Sequence, residues 1–262
     1  MSASGRLGGH HALVTGAGSG IGAAIAVALA REGAKVSRAG RRAAPLEAVA
    51  AELPPGSAKV LDNFDVTEPD AIARGVQSAR KQFGTISILV NSAGEAPSAP
   101  LAKTGVALWD RVISIDLTGV FLVTQTVLPD LMQRGYGARL INVASTAGLT
   151  GYSYVATYCA AKQGVVGLTR ALALELARSG ATVNAVCPGF TETPLIERAL
   201  ADIVAKTGRS RDAVKDEFTK SNPQGRLVTP AEVADAVLWL ASPGASSING
   251  QAIVVAGGEV MS

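Results

Sequence analysis

The 262-residue chain is poor in the side chains that most often carry chemistry. Its two histidines, His10 and His11, stand side by side near the start, so no histidine general base is expected deeper in the chain. Two cysteines, Cys159 and Cys187, are too few for a disulfide framework and offer no Cys/His zinc spacing, so no metal is expected. They read as small buried hydrophobes in a reducing, cytoplasmic setting. Charge is nearly balanced, with 24 Lys+Arg against 21 Asp+Glu, and no basic run is interleaved with aromatics. Nucleic acid is therefore not an expected partner. Met1 to Gly9 lacks an apolar leader core, and no uncharged apolar stretch reaches the ~18 residues of a membrane span, so no membrane partner is expected either. What the chain does have is 48% hydrophobic residues, enough to bury a substantial core in one domain.

Short apolar runs alternate with longer helical patterns. The strand candidates are 11–15, 34–39, 58–64, 86–90, 139–144, 182–186 and 251–255. Between them the spacing predicts helices over 21–31, 43–53, 68–83 with Thr67 as N-cap, 106–134 with a break at Pro129, 156–179 and 230–241. Trp109 and Trp239 fall in the apolar pattern and read as core. Each return to a parallel strand needs a crossover helix, so the pattern implies a single doubly wound α/β domain. Its ligand crevice lies at the carboxyl ends of the strands. Only residues 192–225, helical in pattern and charged with both signs, interrupt the rhythm; they read as an insertion that covers the site and orders when substrate binds.

The first strand runs through Thr15-Gly-Ala-Gly-Ser-Gly-Ile-Gly22 directly into a helix. Small residues let the chain turn tightly and bring Ser19, Gly20, Ile21 and Gly22 N–H groups to a diphosphate at the helix N-terminus. A flexible glycine turn would fit the loop alone; its place between strand and helix favours a dinucleotide. No Lys-Ser/Thr pair follows, so it is not a Walker A loop. The second strand ends in Arg38-Ala-Gly-Arg-Arg42, with Gly40 where an NAD-selective acid is expected and Arg41 beside it. A guanidinium suits the 2′-phosphate, so NADP(H) is expected over NAD, with a solvated basic turn as the plain alternative.

Tyr158 and Lys162 are four apart in a predicted helix and project from one face, while Ser145 ends the fifth strand. A phenol, with an ordinary pKa of ~10, needs help to exchange its proton at neutral pH. The neighbouring ammonium and a cationic nicotinamide would lower it. Tyr158 could then pass a proton to or from a substrate oxygen that Ser145 also holds. Lys162 could also hold the nicotinamide ribose. No G-x-S-x-G elbow with acid and histidine partners exists, which leaves hydrolysis without its parts.

Together these motifs resemble the short-chain dehydrogenase/reductase family along nearly the whole chain. The matching stretches are Thr15 to Gly22, Asp65-Val66 for an adenine contact, and Asn91-Ser-Ala-Gly94 in place of N-N-A-G. They continue with Asn142-Val-Ala-Ser145, Tyr158-Cys-Ala-Ala-Lys162 and Pro188-Gly-Phe-Thr-Glu-Thr193. The resemblance implies a Rossmann-type sheet of seven parallel strands and a homotetramer or homodimer. It implies catalytic roles for Ser145, Tyr158, Lys162 and, at the proton-relay position, Asp116. It also implies cofactor contacts from Gly16, Ser19, Gly20, Ile21, Gly22, Arg41, Asp65, Val66, Asn91, Ala93, Gly94, Pro188, Gly189, Thr191 and Thr193, besides Tyr158 and Lys162. Where the family usually has Asn, on a distorted turn holding a water linked to the catalytic lysine, this chain has Asp116. The 144–194 stretch is similar to ketoreductases of β-ketoacyl thioesters. The implied reaction is hydride transfer between NADP(H) and a ketone or secondary alcohol. An alcohol, steroid or polyol dehydrogenase running oxidatively is the same-fold alternative, and a non-catalytic NADP-binding sensor the alternative from another class.

Overall fold

A computed structural model describes residues 5–261; the expectation about Met1 to Gly9 falls partly outside them. The seven strands are β1 (His11–Thr15), β2 (Lys35–Ala39), β3 (Ala58–Leu61), β4 (Ile88–Asn91), β5 (Arg139–Val143), β6 (Thr182–Pro188) and β7 (Ala252–Val255). They form one parallel sheet in the order β3-β2-β1-β4-β5-β6-β7. β1, β4, β5 and β6 are buried at every position because helices lie on both faces, which is why they read as apolar runs rather than alternating ones.

On one face α1 (Gly20–Arg31) and α9 (Pro230–Ala241) pack together through Ile25, Leu29, Val233 and Val237. α2 (Ala43–Ala50) adds Leu46 at the edge of that cluster. On the other face α3 (Pro69–Phe83), α5 (Gly119–Arg134) and α6 (Ala156–Leu176) enclose Ile72, Val76, Val123, Val127 and Leu176. The strand order reverses between β1 and β4, so their carboxyl ends open the crevice where ligands of such sheets collect. α9 begins with a complete capping box. Thr229 accepts from the Glu232 N–H at 3.3 Å, and Glu232 accepts from the Thr229 N–H at 2.8 Å.

Some expectations need correction. Thr67 is not the cap of α3; Asp65 Oδ1 accepts from both the N–H and the hydroxyl of Thr67, and the helix starts two residues later at Pro69. The helical run 106–134 does not break at Pro129. Arg80 reaches from α3 to donate to Thr126 O and Asp130, bracing the turn that proline weakens. The irregularity lies earlier, where α4 (Val106–Ile113) passes into a π-helical turn, Ser114–Thr118, before α5. This run is long and apolar enough to cross a membrane by length and composition, yet it buries Asp116 and Asp130 against Lys162 and Arg80. Trp109 and Trp239 are each 43% exposed, so neither is core. The 192–225 stretch forms α7 (Pro194–Thr207) and α8 (Arg211–Lys220), as its helical pattern predicts.

Candidate active site

The site is built where the carboxyl ends of β1, β4, β5 and β6 meet. Gly16 and Gly20 adopt positive φ, +66° and +55°, which L side chains disfavour. A Cβ on Gly16 would come within 2.9 Å of the Ala93 backbone, and one on Gly22 within 2.5 Å of Gly16 O. The loop therefore packs tightly against the turn after β4, where Thr15 Oγ1 accepts from the Ser92 and Ala93 N–H groups at 3.0 and 3.1 Å. Ser19 holds the N-cap position of α1 without a side-chain hydrogen bond, which leaves the first-turn N–H groups of Gly20, Ile21 and Gly22 uncapped by side chains. That cradle fits a dinucleotide diphosphate.

At the end of β2, Arg41 is exposed and enters no ion pair among the described residues. Arg38 behaves differently from its place in the basic run. It is fully buried, on the same face as Val36, and none of its three guanidinium nitrogens has a partner. Burial lowers its pKa, with Glu52 opposing. Asp65 spends Oδ1 on Thr67, and Val66 packs against Gly119. Asn91 turns inward: its Nδ2 donates to Thr124 and to Asn142 Oδ1, while its own Oδ1 is buried without a partner. Pro188 ends β6, Gly189 follows it, and the Thr191 hydroxyl donates to Gly189 O at 2.9 Å. Thr193 caps α7, and its methyl group lies against the Gly20 Cα.

Ser145, Tyr158 and Lys162 come together as their spacing predicts. Ser145 leaves β5 half-buried and accepts from the Ala147 N–H at 3.1 Å. The Lys162 ammonium lies 5.5 Å from the Tyr158 ring centroid, donates to Val143 O at 3.2 Å, and pairs with Asp116 Oδ1 at 3.3 Å. The π-helical turn presents that carboxylate, and π-turns are frequent at functional sites. Asp116 therefore meets the lysine directly, in place of the water linkage the resemblance suggests. Gly94 makes room: a Cβ there would sit 2.5 Å from Asp116 Oδ1. The Glu95 N–H also donates to both Asp116 oxygens, at 3.3 and 3.2 Å.

The electrostatics differ from the sequence expectation. Burial lifts the Tyr158 phenol above its ordinary range; Lys162 pulls it back, Asp116 pushes it further up, and the Ser145 hydroxyl lowers it. Lys162 thus acts on Tyr158 in the direction its spacing implies, while burial and Asp116 act against it. Burial also lowers Lys162, but Asp116 and Tyr158 outweigh it and hold the ammonium above its usual value. Asp116 is raised by burial, against the pull of Lys162. The thiol of Cys187, buried nearby, is pushed up to about 11 and stays inert at neutral pH.

Comparison with known proteins agrees with this geometry. Residues 16–259 match the family profile described as enoyl-(acyl carrier protein) reductase. A Streptomyces coelicolor protein named "Putative ketoacyl reductase" is 41% identical, over 94% of this chain and 95% of its own length. A cis-4-hydroxycyclohexanecarboxylate dehydrogenase of Sinomonas cyclohexanicum is 42% identical over 94% and 95%. Among solved structures, a variant of actinorhodin polyketide ketoreductase with NADPH superposes with a TM-score of 0.89 at 39% identity, covering 95% of this chain and 97% of that one. The chain belongs to the short-chain dehydrogenase/reductase family. It is an oxidoreductase of ketones and alcohols in that family.

Several residues of this dehydrogenase/reductase site carry no signal in the sequence pattern. Glu95 acts through a contact 21 positions away, so no local spacing reveals it, and the bond from Thr15 of the glycine motif to the turn 77 positions on is equally hidden. Tyr152 lies near Ser145 with its hydroxyl 2.8 Å from Thr146 Oγ1 and 2.6 Å from Glu259 Oε1, a residue 107 positions distant.

Proposed function

We propose that the chain is an NADPH-dependent ketoreductase, with β-ketoacyl thioesters among its substrates. The observation that carries this reading is the Lys162 ammonium held by Asp116 and Val143 O against the face of Tyr158, beside Ser145. Bound NADPH supplies the hydride from C4 of its nicotinamide. Ser145 donates a hydrogen bond to the substrate carbonyl oxygen, and Tyr158 delivers the proton to it. A phenol carries at neutral pH the proton that the acid role requires. An ammonium has three protons; two go to Asp116 and Val143 O, and the third reaches the nicotinamide ribose.

Gly16, Ser19, Gly20, Ile21 and Gly22 hold the diphosphate, Arg41 the 2′-phosphate, and Asp65 and Val66 the adenine. Asn91, Ala93 and Gly94 line the middle of the cofactor trough, and Pro188, Gly189, Thr191 and Thr193 hold its nicotinamide end. α7 and α8 form the 192–225 cover. An open groove of about 650 Å³ is lined by Thr193, Pro194, Glu197, Arg198, Lys215 and Leu227.

Exposed apolar side chains support assembly as a homotetramer or homodimer. Trp109, Phe121 and Leu174 are 43%, 45% and 83% exposed on α4, α5 and α6, while Trp239 and Met261 are exposed around α9 and the C-terminal segment. Two self-complementary faces build a closed tetramer. The enzymatic test follows NADPH absorbance with acetoacetyl thioesters and simple ketones. Tyr158→Phe is expected to lose about 10²–10⁴-fold in turnover while still binding NADPH. Equal turnover by Tyr158→Phe, or a kcat/KM for NADH matching that for NADPH, refutes the corresponding part.

A further inference from the structure

A second charged group borders the same cleft and has no part in the proton transfer. Glu259 lies in the turn after β7, where its N–H donates to Ala256 O at 3.1 Å. Its Oε1 is 2.6 Å from the Tyr152 hydroxyl. Its Oε2 lies over Gly189, where a Cβ would come within 2.5 Å, so glycine at 189 is what lets the carboxylate approach. Tyr152 in turn reaches Thr146, the neighbour of Ser145, at 2.8 Å. The Tyr152 ring meets Phe190 edge-on at 5.9 Å, and Phe190 meets Phe218 of α8 at 4.6 Å. The carboxylate thus stands where the Ser145 loop, the exit of β6 and the aromatic row under the covering helices converge.

Two features make this acid a candidate for more than a tether. It is only half-buried, and among the described residues no lysine or arginine pairs with it. Tyr152, which burial and Glu259 hold above the ordinary phenol range, stays neutral and cannot share or cancel the charge. An unpaired negative charge in a partly desolvated cleft acts on anything bound there, because local screening is weak.

We propose that Glu259, oriented by Tyr152, sets the charge selectivity of the cleft: it admits ketones whose flanking group is neutral or donates a hydrogen bond, and disfavours ketones bearing a free carboxylate. The proposal rests on the ketoreductase reading above and adds the substrate class to it.

The test uses the full-length protein with NADPH and two probes that differ by one charge, acetoacetate and ethyl acetoacetate. Glu259→Gln keeps a hydrogen-bond acceptor for Tyr152 but removes the charge. The ester-to-acid ratio of kcat/KM is expected to fall about tenfold in Glu259→Gln, equivalent to about 1.4 kcal/mol. Tyr152→Phe, which frees the carboxylate to swing, is expected to move the ratio in the same direction by less. A ratio unchanged in Glu259→Gln, including the case where both substrates weaken together as a purely structural tether predicts, overturns the proposal. The same ratio read from quenching of bound-NADPH fluorescence does not depend on turnover. Selective binding without turnover by the natural sequence would therefore sink the ketoreductase reading and leave the selectivity standing.

Discussion

Asp116→Asn isolates the direct contact between a carboxylate and the Lys162 ammonium. At 3.3 Å and an effective dielectric of about 20, the carboxylate and the Lys162 ammonium attract by about 5 kcal/mol. Tyr158 feels the same carboxylate, which pushes its phenol up while Lys162 pulls it down. Asparagine keeps an oxygen for the Glu95 N–H and Lys162 but removes the charge, so the Tyr158 pKa falls. In the oxidising direction, with a secondary alcohol and NADP+, rate rises with pH as Tyr158 deprotonates. The midpoint of that limb is expected to move to lower pH in Asp116→Asn. In the reducing direction the falling limb moves down with it. The assay is kcat against pH in both directions, with melting temperature and NADPH affinity as controls for intact folding. A midpoint that stays in place, or rises, refutes the electrostatic coupling; loss of rate at every pH without a shift makes Asp116 only a brace.

Arg38→Met removes a buried, unpartnered guanidinium while keeping an unbranched apolar stem. It is expected to stabilise by about 1–4 kcal/mol, read as a rise in Tm of roughly 2–4 °C per kcal/mol; a lower Tm would mean the charge has a partner. Gly94→Ala drives a methyl group into the Asp116–Lys162 pair and should cost about 1–3 kcal/mol in stability, with a fall in kcat larger than that in NADPH affinity. Steady-state kinetics beside thermal melts would expose the opposite pattern. His11, bonded to Gly84 O and Ser37 and buried at the start of β1, has its pKa lowered mainly by burial. Its folded pKa lies below the unfolded 6.5, so the unfolded chain binds the proton first and stability is lost as pH falls below 6.5. His11→Gln should flatten that part of the Tm–pH curve, and a slope left unchanged would assign the loss to other groups.

Much of the architecture was legible because it rests on local periodicity. β1 was read at its observed limits, 11–15, since every residue in it is buried and a glycine loop ends it. α9 was read at 230–241, its observed limits, from its helical spacing. The Tyr158/Lys162 pair was legible because four residues make one helical turn. Other features were hidden. Pro129 signalled a break that Arg80, from another helix, prevents. Trp109 and Trp239 fit an apolar pattern that cannot distinguish core from exposed face.

The chain alone determined the alternation of strands and helices, the glycine loop at a strand's end and the spacing of tyrosine and lysine, since each depends on neighbours within a turn or a strand. Folding decided the rest. It set Asp116 directly against Lys162, left Arg38 buried while Arg41 stayed open, and joined Glu259 to Tyr152. It also buried Tyr158, which raises its phenol against the pull of Lys162. Burial and charge act through space, and only the packed sheet brings residues more than a hundred positions apart within reach of one another.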